Sequence, residues 1–143
     1  MPTHAETRHL PYSAKQMFDL VADVGRYPEF LPWCQDARVF ENDGAIMRAD
    51  LVVGFKLFRE RFTSEVALTP PKTIAVRYLD GPFKRLENHW TFETNGRGGC
   101  IVDFYIDFEF HSRFFQGAME AVFNEAVRRM VGAFEKRAAA LYG

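Results

Sequence analysis

The residues best able to move protons or hold a metal are His4, His9, His89 and His111, and their spacing brings no three ligands together. Alternation along the strand that holds His89 places it on an outward face, so no metal is expected. Ser13, Ser64 and Ser112 have no base at a fixed offset, and the chain carries no GxSxG, P-loop or GxGxxG motif. Gly96-Arg97-Gly98-Gly99 shares only its glycine content with a phosphate loop. It lies between two strands, with no helix N-terminus behind it, and reads as a hairpin turn. Cys34 and Cys100 are far apart and outside any CxxC, which predicts free thiols. No catalytic residue is assigned and no enzymatic activity is expected; Glu60 alone stands as an acid or base worth testing. Glu60, Tyr78 and Asn88 are different in kind, because each falls among apolar neighbours on an inward strand face. Polar groups buried there need partners. They form either an internal network, with Glu60 against an arginine, or the few directional groups of an apolar small-molecule site. An amide and a phenol can donate to ligand carbonyls, whereas an ionised Glu60 only accepts.

These side chains must be positioned by a sheet and two helices. A short strand is expected over residues 3–9. Ser13 followed by Gln16 forms a capping box, with Tyr12 and Met17 as the staple, and predicts a helix from Ser13 to about Asp23. That helix should fail near Gly25, since Pro28 and Pro32 follow. The middle of the chain alternates with period two, as half-buried antiparallel strands do. The clearest run is 100–110, with Cys100, Val102, Phe104, Ile106, Phe108 and Phe110 on one face. Further strands are expected near 36–41, 45–53, 58–68, 73–79 and 86–94. From Arg113 to Tyr142 the period becomes helical, through Phe115, Met119, Val122, Phe123, Ala126, Val127, Met130, Val131 and Phe134, over roughly 45 Å. The expected architecture is α+β, a helix-grip: a curved antiparallel sheet of about seven strands wrapped around a long C-terminal helix.

Successive hairpins reverse direction, so their turns fall at alternate ends of the sheet. One end collects the polar turns 41–44, 69–72 and 95–99. The other collects 54–57, 80–85, the 110–115 junction and the connection 27–33. That end carries Phe30, Leu31, Trp33, Phe55, Leu57, Phe83 and Phe114. These aromatics either fold inward as a plug or rim a cavity mouth that admits an apolar ligand or leans on a membrane or partner. Lys56, Lys84 and Arg85 beside them would suit anionic headgroups. The ligand-binding candidates are Val53, Phe62, Tyr78, Asn88, Trp90, Phe104 and Phe108 from strands, with Phe115, Met119 and Phe123 from the long helix. Tyr27, Phe30, Leu31, Pro32, Trp33, Phe55 and Phe83 complete the set from the mouth.

Composition leaves two readings open, an aromatic-rich core and a cavity for an apolar ligand. Of 143 residues, 48% are hydrophobic and 15% aromatic, with 15 Phe against 2 Trp, more aromatic mass than a plain core requires. One domain over 1–143 is expected. A formal charge of -1 gives no reason to expect nucleic acid or an anionic membrane as the main partner, and no DNA partner is expected. The first residues lack a signal-peptide core, and no apolar run reaches the roughly 20 residues of a membrane span, which predicts a cytoplasmic protein.

VADVGRYPEFLPWC at 21–34, LDGPFKRLENHWTF at 79–92 and the closing run from DFYIDFEF to AFEKRAAALYG resemble the coenzyme Q-binding family of START-like (polyketide cyclase-like) domains. The resemblance covers nearly the whole chain and implies a helix-grip fold. It implies ubiquinone as bound ligand, with no other cofactor, and a role as carrier or chaperone in respiration or quinone biosynthesis. A bacterial branch of the same family is described as a ribosome-association toxin, which would block subunit joining. The resemblance therefore implies two partners, an isoprenoid quinone taken up through transient membrane contact at the inner face, and a ribosomal subunit.

Overall fold

The computed structural model describes residues 3–31, 33–55 and 58–143; the side chains of 55, 58, 115, 118, 119 and 121–124 lie outside that description. Seven strands form a single antiparallel sheet: β1 (Thr3–Leu10), β2 (Cys34–Asn42), β3 (Ile46–Phe55), β4 (Phe58–Thr69), β5 (Thr73–Asp80), β6 (Phe83–Thr94) and β7 (Cys100–Phe110). Their order is β1-β7-β6-β5-β4-β3-β2. β2 to β7 thus form a meander, and β1 returns to pair with β7, Thr3 opposite Asp107 and Leu10 opposite Cys100. With no strand missed, the predicted parity of turns holds.

Helix α1 (Ala14–Ala22) starts where the capping box requires. The Ser13 hydroxyl accepts from the Gln16 N–H at 3.0 Å, and the Gln16 side chain accepts from the Ser13 N–H at 2.9 Å. Met17, Phe18, Leu20 and Val21 are buried, as their spacing demands. The α-helix stops at Ala22 with Asp23 as its C-cap, as expected, and the chain continues as a 3-10 helix, Val24–Glu29, with Pro28 inside. The Arg26 N–H donates to the Asp23 carbonyl at 3.1 Å, the shorter reach of 3-10 geometry.

Helix α2 (Arg113–Tyr142) closes the concave side. Val127, Val131, Phe134 and Ala138 are buried and Met130 packs against them, while Glu120, Arg128 and Lys136 face solvent. Phe134 meets Tyr27, Phe30 and Trp90 edge-on at 5.5, 5.3 and 5.2 Å between centroids. The Arg8 guanidinium bonds both Glu6 and Glu135, tying edge strand β1 to α2.

β6 begins at Phe83, earlier than alternation suggests, so only Gly81 and Pro82 join it to β5. Gly81 has φ +145°, and a Cβ there would stand 2.6 Å from Phe62 Cβ. Glycine is needed because β4 passes so close.

A candidate ligand cavity

The concave face of the sheet and α2 do not meet along their whole length. Between them lies a cavity of about 260 Å³. Each strand from β3 to β7 contributes inward residues of one parity: Leu51 and Val53; Phe62, Ser64 and Val66; Ile74 and Val76; Leu86, Asn88 and Trp90; Phe104, Ile106, Phe108 and Phe110. Period two thus becomes a continuous apolar wall. Ala126, Val127, Met130 and Phe134 supply the helix side. Val21, Val24, Tyr27, Leu31, Trp33, Cys34, Gly54 and Phe83 line it toward the end where β3 stops and β6 starts.

Of the mouth residues expected from sequence, Tyr27, Leu31, Trp33 and Phe83 border the cavity. The Gly54 N–H donates to the Trp33 carbonyl at 2.8 Å, which brings the ends of β2 and β3 together there. The Tyr27 hydroxyl donates to the Val21 carbonyl, and burial holds it well above the ordinary phenol range, so it stays neutral. The Trp33 indole N–H donates to the Ala126 carbonyl at 3.1 Å. It pins the connection before β2 to α2, so it is not the donor a ligand would use.

Val53, Phe62, Asn88, Trp90, Phe104 and Phe108 also line the cavity. Two candidates do not. Phe30 stacks on Tyr27 and Phe134 beneath the Arg137 guanidinium, 5.2 Å away, and forms part of the outer packing of α2. Tyr78 turns its hydroxyl to the Phe83 N–H, accepting at 3.0 Å, and closes the β5–β6 turn. Pro32 and the side chains of Phe55, Phe115, Met119 and Phe123 lie outside the described residues.

Phe83 and the rings packed around it point inward at this end. Phe83 is only 8% exposed, ringed by Phe62, Tyr78, Phe108 and Phe110 at centroid distances of 4.7–5.9 Å. It is wall and plug together, not a wedge for a membrane. Lys84 and Arg85 belong to β6 and turn to the outer face, where Lys84 pairs with Glu109 at 3.6 Å and Arg85 bridges Asp107 and Glu109 at 3.1 and 2.8 Å. Both are thus paired with acids of β7, and Lys56, the third cation expected beside them, lies outside the described residues. Phe114, at 78%, is a strongly exposed aromatic at this end.

Chemically the cavity is apolar with sparse polarity. No charged side chain is among its described lining. Glu60 is half-buried opposite Val53, makes no ion pair among the described residues and does not reach the cavity. The expected Glu–Arg pair does not form there among the described residues. The Asn88 amide donates to the Tyr105 carbonyl at 2.9 Å, and its remaining amide groups border the cavity. The Cys34 thiol donates to the Asp36 carbonyl at 3.4 Å, and burial pushes it up to about 11, leaving a poor nucleophile. Cys34 and Cys100 are both free and buried. Among the described residues no group of three His, Cys, Asp or Glu could hold a metal, and no helix is long and apolar enough to cross a membrane.

Residues 10–135 match the family described as polyketide cyclase/dehydrase and lipid transport. The chain belongs to that family. It is 38% identical over 144 residues to the ribosome association toxin RatA of Pseudomonas aeruginosa, covering 100% of both chains. It is also 38% identical over 144 residues to the mitochondrial coenzyme Q-binding protein COQ10 homolog B of Xenopus laevis, covering 98% of this chain and 59% of that one. Among solved structures, the Zhui aromatase/cyclase of a Streptomyces species superposes with a TM-score of 0.84 at 18% identity, covering 96% of this chain and 93% of that one. At that identity the likeness shows the fold alone, the helix-grip expected from the element order. The family resemblance read from the three motifs stands.

Sequence reasoning did not single out Ser64, Leu51, Val76, Leu86, Ile106 or the α2 residues Ala126 and Met130 as lining. The parity that selected Phe62 and Asn88 selects the strand residues as well. Size and aromaticity drew attention to the larger members of each face and passed over the smaller aliphatic ones and Ser64.

Proposed function

We propose that this chain binds a neutral hydrophobic molecule of the isoprenoid quinone class and carries it without chemical change, as a cytoplasmic carrier or chaperone serving respiration or quinone biosynthesis. The observation that carries the reading is the apolar cavity bounded by sheet and helix, with no charged group among its described lining. A volume of about 260 Å³ lies just under the usual range of ligand sites, roughly 300–1,000 Å³. It suits a ring and the first part of a tail, with the remainder leaving past Leu31 and Trp33. Each CH₂ buried contributes about 0.8 kcal/mol, so even a partly enclosed tail drives binding. The name of the Xenopus relative supports the quinone, and the lack of an activated acid, base or nucleophile at the cavity supports a role without catalysis. Transient membrane contact follows from the ligand's insolubility, with Phe114 as the exposed apolar contact. The test is retention of decylubiquinone through gel filtration, with the Met130→Asp variant as control. Uptake by the parent and loss in the variant support the reading; no uptake by the parent ends it.

A second reading, subunit-blocking ribosome association, is favoured by the relatives named for it and by the outer sheet face. Arg38, Arg59 and Arg61 are exposed there, with no ion pair to any described residue, and three unpaired guanidiniums suit a phosphate backbone. Salt-sensitive co-sedimentation with a ribosomal subunit, weakened by Arg59→Ala with Arg61→Ala, is the expected result.

A further inference from the structure

Two polar groups that open on the cavity have no partner among the described residues. Ser64 is 3% exposed and Trp90 6%, yet neither the Ser64 hydroxyl nor the Trp90 indole N–H bonds to a described residue. Neither is sealed in, because no fully buried side-chain nitrogen or oxygen lacks a partner among the described residues. Both residues line the cavity, so both groups are presented to whatever fills it. The other indole in the chain, that of Trp33, is satisfied by α2.

Register fixes where these groups stand. Ser64 pairs with Ala49 on β3, five residues from Gly54 at the mouth end, or roughly 17 Å along the strand. Asn88 lies five residues into β6 from Phe83, at a similar depth, and Trp90 is two residues further in on the same face. Ser64 is opposite Tyr78 on β5, and Asn88 is opposite Val76. Two strand spacings and an offset of two residues along β5 therefore separate Ser64 from Asn88, roughly 12 Å across the floor. A six-membered ring with oxygens on opposite carbons, plus a hydrogen bond of about 2.9 Å at each end, spans that gap. A carboxylate or phosphate would find no cation among the described lining, and its burial would be strongly unfavourable.

The geometry points to a ligand seated ring-first: its uncharged dicarbonyl ring is innermost, held between the Ser64 hydroxyl on β4 and the Asn88 amide and Trp90 N–H on β6, with the apolar tail trailing past Leu31 and Trp33. The inference rests on the cavity being a lipid site and adds the head-group class, the orientation and the anchoring side chains. Selection is by neutral hydrogen bonding at the far end, so the site discriminates against fatty acids and lipids with charged heads.

The test compares decylubiquinone, decylbenzene and decanoic acid at pH 8, with binding measured for the parent, Ser64→Ala and Trp90→Phe. A neutral hydrogen bond corresponds to roughly fivefold in affinity. Each variant should weaken decylubiquinone by about that factor and leave decylbenzene unchanged, and decanoic acid should bind far more weakly than decylubiquinone. The chain has only two tryptophans, so the indole region of a ¹H–¹⁵N spectrum holds two signals, and Trp90→Phe identifies the deeper one. Decylubiquinone should move the Trp90 signal and decylbenzene should not. The proposal is overturned if decylbenzene or decanoic acid binds as tightly as decylubiquinone, or if the variants weaken all three ligands alike. It is also overturned if only the Trp33 signal responds. Failure of all three to bind the parent would remove the lipid-site reading itself.

Discussion

The two ends of the sheet solve the same problem, reversing a strand, with opposite chemistry. At the polar end two turns, 41–44 and 95–99, are held by their own side chains. Asp43 accepts from the N–H groups of Ala45 and Ile46, Asn42 from that of Gly44, and Asn95 from those of Arg97 and Gly99, at 2.7–3.1 Å. At the aromatic end the bonds reach across elements: Tyr27 to α1, Trp33 to α2, and the Phe83 N–H to Tyr78. Polar turns need only their own side chains and water. Aromatic turns need the rest of the fold, and in return they close one end of an interior space. The difference explains why an end of the sheet can be built from large apolar residues without leaving most of them on the surface.

The largest expected effect that would break this comparison is at Phe83. Phe83→Ala should cost about 3–5 kcal/mol in unfolding free energy, because four rings lose a shared neighbour. A loss below 1 kcal/mol by urea titration would mean the end is a loose rim. Next is the mouth, where Leu31 borders the cavity and Phe30 covers α2. Leu31→Ser should shorten quinone retention with little change in melting temperature, and Phe30→Ser should lower the melting temperature with less effect on retention. The reverse pattern would exchange their roles. At the polar end, Asn95→Ala should cost only about 1 kcal/mol and leave retention intact.

The smallest effect is a pH dependence at Asp43, whose carboxyl is held below its ordinary value by the N–H groups of Ile46 and Ala45. A depressed folded value means the contribution is present above the unfolded carboxyl value, near pH 4, and is lost as pH falls through the folded one. Asp43→Ala should therefore be less stable than the parent at pH 7, with the gap narrowing below pH 4. A gap that is constant down to pH 2 would show that the charged form is not what the turn holds.

Much of the fold was legible because its signals are local. Ser13 with Gln16 marked the start of α1, alternation over 100–110 marked β7 to the residue, and the change of period marked α2. Counting turns placed Trp33, Gly54 and Phe83 at one end before any distance was known. The parts that failed depend on where a side chain finds its partner. Tyr78 shares a parity with cavity residues but is captured by a backbone N–H five residues ahead. Phe30 is drawn away by Phe134 and Arg137, far along the chain. Lys84 and Arg85, expected in a loop, continue β6 and are neutralised by acids on β7. Ser64 was left out of the ligand set because a small hydroxyl among large rings carries little weight in a pattern, although its parity with Phe62 and Val66 was plain.

The central claim, a carrier for a neutral isoprenoid quinone, meets its most direct test in lipid extracted from protein purified without detergent and measured by mass spectrometry. The account predicts a quinone enriched well above its share of the host's lipids, and depleted in the Ser64→Ala and Leu31→Ser variants. Extracts that hold only fatty acids or phospholipids in the proportions of the host membrane, unchanged by those variants, would contradict it.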